Sequence, residues 1–185
     1  MPNIKAQHAV IGVEEYLAGE LGGEIRHEYV GGRVYAMVGA SDHHGLIAGN
    51  IHAALHPYAR ARRCQIFIAD MKVRLQIGAD HLFYYPDLLL CCDPQDRETY
   101  YRTRPCLIVE VLSETTERID RREKFLAYRA LDSLREYVLV SQDQRQVEVF
   151  RRDDGWRGEL LSEGVLRLDC LETALMLETI YEGVS

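Results

Sequence analysis

Long hydrophobic runs are missing from this sequence. No stretch of about 18 uncharged apolar residues occurs, which excludes a membrane-spanning helix. The N-terminus, MPNIKAQHAVIGVEEYL, lacks the basic start and apolar block of a secretory signal. The GxGxxG and GxxxxGKS/T phosphate loops are absent, so nucleotide-dependent chemistry has no foothold. HExxH and GxSxG are absent too, which leaves zinc proteolysis and serine hydrolysis without their motifs. Cysteine is sparse and odd in number: Cys64, Cys91, Cys92, Cys106 and Cys170, with no CxxC spacing. The expectation is buried small hydrophobes in a reducing, cytoplasmic setting rather than a zinc site or a disulfide scaffold.

Hydrophobic residues make up 47% of the chain and charged residues 28%, which are globular proportions. A length of 185 residues suits one domain, 1–185, able to bury roughly 70% of the unfolded surface. Its net charge of −7 argues at first sight against a nucleic-acid partner. The distribution softens this. Residues 143–185 carry five Arg against ten Asp and Glu, whereas residues 57–75 carry Arg60, Arg62, Arg63, Lys72 and Arg74 against Asp70 alone. Phosphate contacts depend on local charge, so these five basic residues are candidate nucleic-acid contacts.

The pattern predicts a short helix over 11–19 stopped at Gly22-Gly23, then a hairpin, IRHEYV and RVYAMV, turning at Gly31-Gly32. Ser41 or Asp42 can cap a helix running to about Ala61, with Leu46, Ile47, Ile51, Ala54 and Leu55 at helical spacing. Strand candidates follow: CQIFIADMKVRLQI, with Lys72, Arg74 and Gln76 on a wet face, then FYYPDLLLCC and CLIVEVLS. The last two are almost continuously apolar, as strands covered on both faces are. A helix over 117–131, strands REYVLVSQ and RQVEVFRR, and a final hairpin with a short helix, LETALMLETIY, complete the chain. The order implies an α/β fold on a central mixed β-sheet flanked by helices, with a core over about 12–150 and a C-terminal extension, 151–185.

The informative residues are carboxylates inside apolar strands. Glu110 interrupts Cys106–Leu112, and Asp87 opens the run Leu88-Leu89-Leu90. An ionised carboxylate there costs several kcal/mol unless paired or metal-bound. An Arg or backbone partner would satisfy either acid alone. Two acids on neighbouring strands suggest a shared site with hard oxygen donors suited to Mg²⁺ or Mn²⁺. Asp120, Lys124 and Tyr128 follow at i, i+4 and i+8, one stripe on a helix face beside Ile119, Leu126, Ala127, Ala130 and Leu131. An ordinary Asp120–Lys124 helix pair is the plain alternative.

PDLLL (86–90), IVEVLS (108–113), the pattern Asp120-x3-Lys124-x3-Tyr128 and EYVLV (136–140) resemble the Uma-two family of restriction-endonuclease-like proteins, within the PD-(D/E)xK nuclease superfamily. The upstream EIRHEYVGGRVYAMVGASDHHGLIAGNIHAAL is similar as well, and the likeness covers roughly 12–150. It implies a restriction-endonuclease-like core and a metal-dependent endonuclease acting on nucleic acid, with DNA the first substrate to expect. Asp87 matches the metal-binding aspartate and Glu110 the second acid. Leu112 stands where the superfamily's lysine is usual, and Lys124 matches a lysine moved to the following helix. Glu28 matches an N-terminal acid of such sites, and His44 the histidine heading the second helix. On this reading Asp87, Glu110 and the Val111 carbonyl hold Mg²⁺ with Glu28 assisting, Lys124 orients the water or neutralises charge, and His44, Asp120 and Tyr128 are accessory. A homodimer would supply one site for each strand of a duplex.

Rival chemistry is thinner. His43, His44, His52 and His56 cluster, but zinc catalysis would need a further ligand. Ser113 follows a strand, where capping or turn formation suffices. The rival of another class is a catalytically inactive nuclease-fold binding module, since fold alone does not guarantee activity.

Overall fold

A computed structural model describes residues 10–114 and 116–184; residues 1–9, part of the segment read for a secretory signal, lie outside these. Helix α1 (Val13–Gly22) carries Glu14 and Glu15 in its first turn, where carboxylates complement the helix dipole. Strands β1 (His27–Val30) and β2 (Arg33–Ala36) form the expected hairpin. Gly31 and Gly32 take φ of +54° and +90°, the paired left-handed turn that only glycine adopts cheaply. In α2 (Asp42–Ala61), Ser41 Oγ accepts the His44 N–H at 3.1 Å, so of the two candidate caps Ser41 takes the role. Ile47, Ala48, Ile51, Leu55 and Ala59 form its buried stripe; Leu46 is exposed.

Two strand candidates prove to be pairs of strands. The first divides at Ala69, whose φ is +60°, into β3 (Gln65–Ile68) and β4 (Lys72–Ile77). The second divides at Tyr85-Pro86-Asp87, between β5 (Asp80–Tyr84) and β6 (Leu88–Cys91), where proline has no N–H for a ladder. Then follow β7 (Tyr101–Arg102), β8 (Leu107–Leu112), β9 (Glu136–Ser141), β10 (Val147–Arg151), β11 (Gly158–Leu161), β12 (Val165–Leu168) and β13 (Thr173–Met176). Part of the expected terminal helix is therefore strand β13, leaving only α5 (Leu177–Ile180) as helix. Between β8 and β9 the helix is composite: α3 (Glu117–Ile119), a π turn (Asp120–Lys124) and α4 (Phe125–Tyr128).

The strands build a five-stranded sheet, β2-β1-β5-β4-β7, a six-stranded sheet, β11-β10-β9-β8-β6-β3, and the hairpin β12-β13. The β8–β9 and β4–β7 pairs are parallel and the others antiparallel, so both large sheets are mixed. Alternation along β8 divides the core. Leu107, Val109 and Val111 face α2, β12-β13 and α5. Ile108 and Leu112 face the five-stranded sheet and α4. This is the α/β architecture expected, with the central sheet accompanied by a second one. No described helix is long and apolar enough to cross a membrane.

The cysteine expectation needs correction. Cys64 and Cys92 are joined in a disulfide. Cys64 precedes β3 and Cys92 follows β6, and the antiparallel register Gln65↔Cys91 sets them opposite each other. Strand pairing, unlike the 28-residue separation, makes that proximity. Cys91 is buried, while Cys106 and Cys170 are half-buried free thiols.

Candidate active site

Strand register brings the two strand acids together. Leu88 pairs with Val109 across β6–β8, and the same antiparallel register continued by one residue sets Asp87 opposite Glu110. Both follow the alternation of Leu89 and Ile108, so both point between the two sheets. Like charges directly opposite in an antiparallel pair repel, so this placement calls for positive charge. Glu28 enters from β1 on the facing sheet.

Lys124 supplies that charge. Its Nζ lies 3.0 Å from Glu28 Oε1, 3.3 Å from Glu110 Oε1 and 3.1 Å from Asp120 Oδ1. The three central groups are nearly sealed from solvent: Glu110 is 3% exposed, Asp120 2% and Lys124 6%. Tyr128 Oη donates to Glu110 Oε1 at 3.1 Å, and the Tyr84 ring lies below the ammonium, 5.7 Å from its centre. The stripe Asp120-Lys124-Tyr128 thus faces inward as the spacing indicated. The apolar stripe beside it does not match. Ile119, Leu126 and Ala130 are exposed, and only Ala127 and Leu131 of that set are buried. The reason is the π turn, whose wider i→i+5 winding turns less per residue and so shifts the helical phase between the two short α segments. Tyr137 Oη donates to the Asp120 carbonyl at 3.0 Å and so pins this turn from β9.

Asp87 is held separately. Its Oδ2 accepts the Val111 N–H at 2.6 Å and lies 3.2 Å from His44 Nε2. The Ser41 cap fixes the helix end from which His44 reaches it. Ser113 Oγ accepts the Thr116 N–H at 3.3 Å, the turn-forming task expected of it.

Electrostatics follow from this crowding. Burial, reinforced by Asp120, Asp87 and Glu28, raises the Glu110 carboxyl well above its ordinary value despite Lys124. Burial also raises Asp120, with Lys124 opposing. For Lys124, burial acts against the charge, but Glu110, Glu28 and Asp120 outweigh it and raise its pKa well above normal. For His44, too, burial opposes the charge, yet Asp87 and the Val111 backbone produce a net rise.

The candidate phosphate contacts do not gather here. Arg60, Arg62 and Arg63 lie at the far end of α2, about 24 Å along its axis from His44 at 1.5 Å per residue. Arg62 pairs with Glu172 at 3.1 Å. Lys72, placed on a wet face by alternation, is only 6% exposed and donates to Tyr85 Oη at 3.0 Å. Arg74 donates to Tyr101 Oη at 3.1 Å.

A neighbouring network escaped the sequence reading. Tyr85 Oη donates to Glu20 Oε2 at 2.6 Å, Glu20 Oε1 meets His27 Nδ1 at 3.1 Å, and the Tyr85 N–H reaches Glu28 Oε1 at 3.3 Å. The aromatic pair before Pro86-Asp87 was the available signal. The rival His52 and His56 rings lie 5.6 Å apart. Among the described residues, no three His, Cys, Asp or Glu side chains are already grouped to hold a metal; the acids converge on the Lys124 ammonium instead.

Two mixed sheets enclosing carboxylates and a lysine define a restriction-endonuclease-like α/β protein, and known structures share the fold. A crystal structure titled as a putative nuclease belonging to DUF820, from Anabaena variabilis, superposes with a TM-score of 0.76 at 16% identity, covering 95% of this chain and 99% of that one. The chain belongs to the Uma2 family, described as "Putative restriction endonuclease", whose model matches residues 13–178. Two uncharacterized Synechocystis sp. proteins are similar. One, slr1290, is 33% identical over 176 residues, covering 93% of this chain and 92% of the relative; the other, sll1609, is 31% identical over 163 residues, covering 86% and 90%.

Proposed function

We propose that this chain is a divalent-metal-dependent endonuclease that hydrolyses phosphodiester bonds in nucleic acid, DNA in the first instance. The observation that carries the reading is the buried group Glu28, Glu110, Asp120 and Lys124, with Asp87 opposite Glu110 in register. Mg²⁺ or Mn²⁺ fits this donor set, because the donors are hard carboxylate oxygens and four acids outnumber one lysine and one histidine. Asp87 and Glu110 would hold the ion, with Glu28 beside them. When bound, such an ion activates water and offsets charge on the phosphodiester.

The chain's own groups do the positioning. Tyr128 orients Glu110, and His44 with the Val111 N–H orients Asp87. Glu110, Glu28 and Asp120 keep Lys124 protonated, so its ammonium is ready to neutralise charge that develops on a phosphate oxygen. A homodimer would bring two such sites to the two strands of a duplex.

Cleavage of supercoiled plasmid and single-stranded DNA with Mg²⁺, Mn²⁺ or EDTA tests this. Folded wild type should nick in a metal-dependent manner, and Asp87→Ala, Glu110→Ala and Lys124→Ala should each lose the activity. Equal activity in all variants identifies a contaminant. Neither cleavage nor metal binding by folded wild type rejects the proposal in favour of a nuclease-fold binding module.

A further inference from the structure

Four of the five cysteines meet on the α2 side of the six-stranded sheet, away from the carboxylates. Cys64, Cys92, Cys106 and Cys170 all pack against the cluster that contains Leu90 and Leu107. They come from four separate segments, so sheet topology alone assembles them. Cys64 and Cys92 share the disulfide, and Cys106 Sγ lies 3.6 Å from Cys92 Sγ. Cys170 neighbours Cys106 in turn and influences its ionisation. Cys91 takes no part: it points to the opposite face and donates to Asp96 Oδ2 at 3.4 Å.

We infer that these cysteines form an internal thiol–disulfide exchange site in which Cys106 is the attacking thiol and Cys92 the sulfur attacked. The Cys106 thiolate, its proton given to solvent, forms a bond to Cys92 Sγ. The Cys92–Cys64 bond breaks, and its electron pair leaves on Cys64, which takes up a proton. One disulfide and one thiol become another disulfide and thiol, so no oxidant or reductant is consumed. Contact distance between the reacting sulfurs is already met. Cys170 beside it favours the Cys106 thiolate and lowers its pKa, although burial opposes this. All four residues are only partly buried, so water reaches the cluster.

The exchange moves a covalent tie. Cys64–Cys92 fastens edge strand β3 to β6. Cys92–Cys106 would fasten β6 to β8, the two strands whose register aligns Asp87 with Glu110. The site is thus a modification point on the frame of the acids, and it stands whether or not the chain cleaves nucleic acid.

The test uses the full chain purified without reductant, held at pH 8 with N-ethylmaleimide, and mapped by peptide mass spectrometry. Trapping draws a minor exchanged population forward. Wild type should accumulate maleimide on Cys64 together with a Cys92–Cys106 linked peptide. Cys106→Ser should lose both and keep the Cys64–Cys92 link, while Cys91→Ala should behave as wild type. Three results overturn the inference: label on Cys106 alone with the Cys64–Cys92 link intact, undiminished Cys64 labelling in Cys106→Ser, or Cys64 and Cys92 both labelled from the outset.

Discussion

Lys124→Met gives the sharpest test of how the buried carboxylates are held. Methionine keeps most of the side chain's methylene packing and removes its charge. In wild type one ammonium meets three carboxylates within 3.3 Å, and two of these, Glu110 and Asp120, are almost fully buried. Removing one partner of a buried ion pair costs about 3–5 kcal/mol, because the remaining charge is left uncompensated. For a chain of this size each kcal/mol lowers Tm by roughly 2–4 °C, so a fall of about 6–20 °C is expected at pH 7. The cost must depend on pH. Glu110 and Asp120 already have raised pKa values, and loss of Lys124 raises them further. An acid whose folded-state pKa is raised contributes stability at low pH that is lost as pH rises through that folded value. The Tm gap between wild type and variant should therefore be small near pH 5 and widen toward pH 8. Calorimetry in EDTA at several pH values measures this. A Tm within about 2 °C of wild type at pH 7, or a gap that does not change with pH, refutes the argument.

Other consequences follow from the same contacts. Glu110→Gln relieves repulsion with Asp87 and Asp120 while keeping a partner for Tyr128, so Tm should match or exceed wild type even as metal-dependent nicking disappears; a drop of more than about 4 °C, roughly 1 kcal/mol, contradicts this. Tyr137→Phe removes the hydroxyl that pins the π turn, at a cost of about 1 kcal/mol by chemical denaturation, and should lower cleavage rate more than DNA affinity if Lys124 is thereby misplaced. Ser41→Ala removes the α2 cap and should cost ~1 kcal/mol, with no loss counting against that cap.

Local chemistry made much of this structure legible. Gly31-Gly32, the Ser41 cap and the apolar runs around Glu110 each carry their conformation in their residue types, and the structure has them. What escaped depended on pairing across the chain. Nothing local says that Ala69 adopts a positive φ and sends β3 and β4 to different sheets, or that Cys64 comes to lie opposite Cys92. Lys72 looked solvated because alternation assigns a face but not what covers it; here that is Tyr85. For the candidate site, spacing suggested the stripe Asp120-Lys124-Tyr128 but not the π turn, which distorted the apolar stripe beside it.

That π turn accounts for how the Lys124 ammonium reaches Glu110 from the helix rather than from β8. Leu112 occupies the position two residues after Glu110, on the same face of β8, and it is buried in the core shared with Ala127 and Leu131. A lysine there would have to desolvate its charge inside this apolar cluster. With leucine at that place the core closes beneath the helix, and the ammonium arrives from above, through Lys124. For that, Asp120, Lys124 and Tyr128 must all turn inward over a short stretch, while Arg122 and Arg129 remain in solvent. The π turn meets this demand, with the Asp120 carbonyl anchored by Tyr137. Changing Leu112 to Lys while Lys124 becomes Leu should therefore not restore cleavage: the exchange puts a charge into the β8 core without rebuilding the ion pair to Asp120. Cleavage at the wild-type rate by a folded double variant would show that the helix position is incidental.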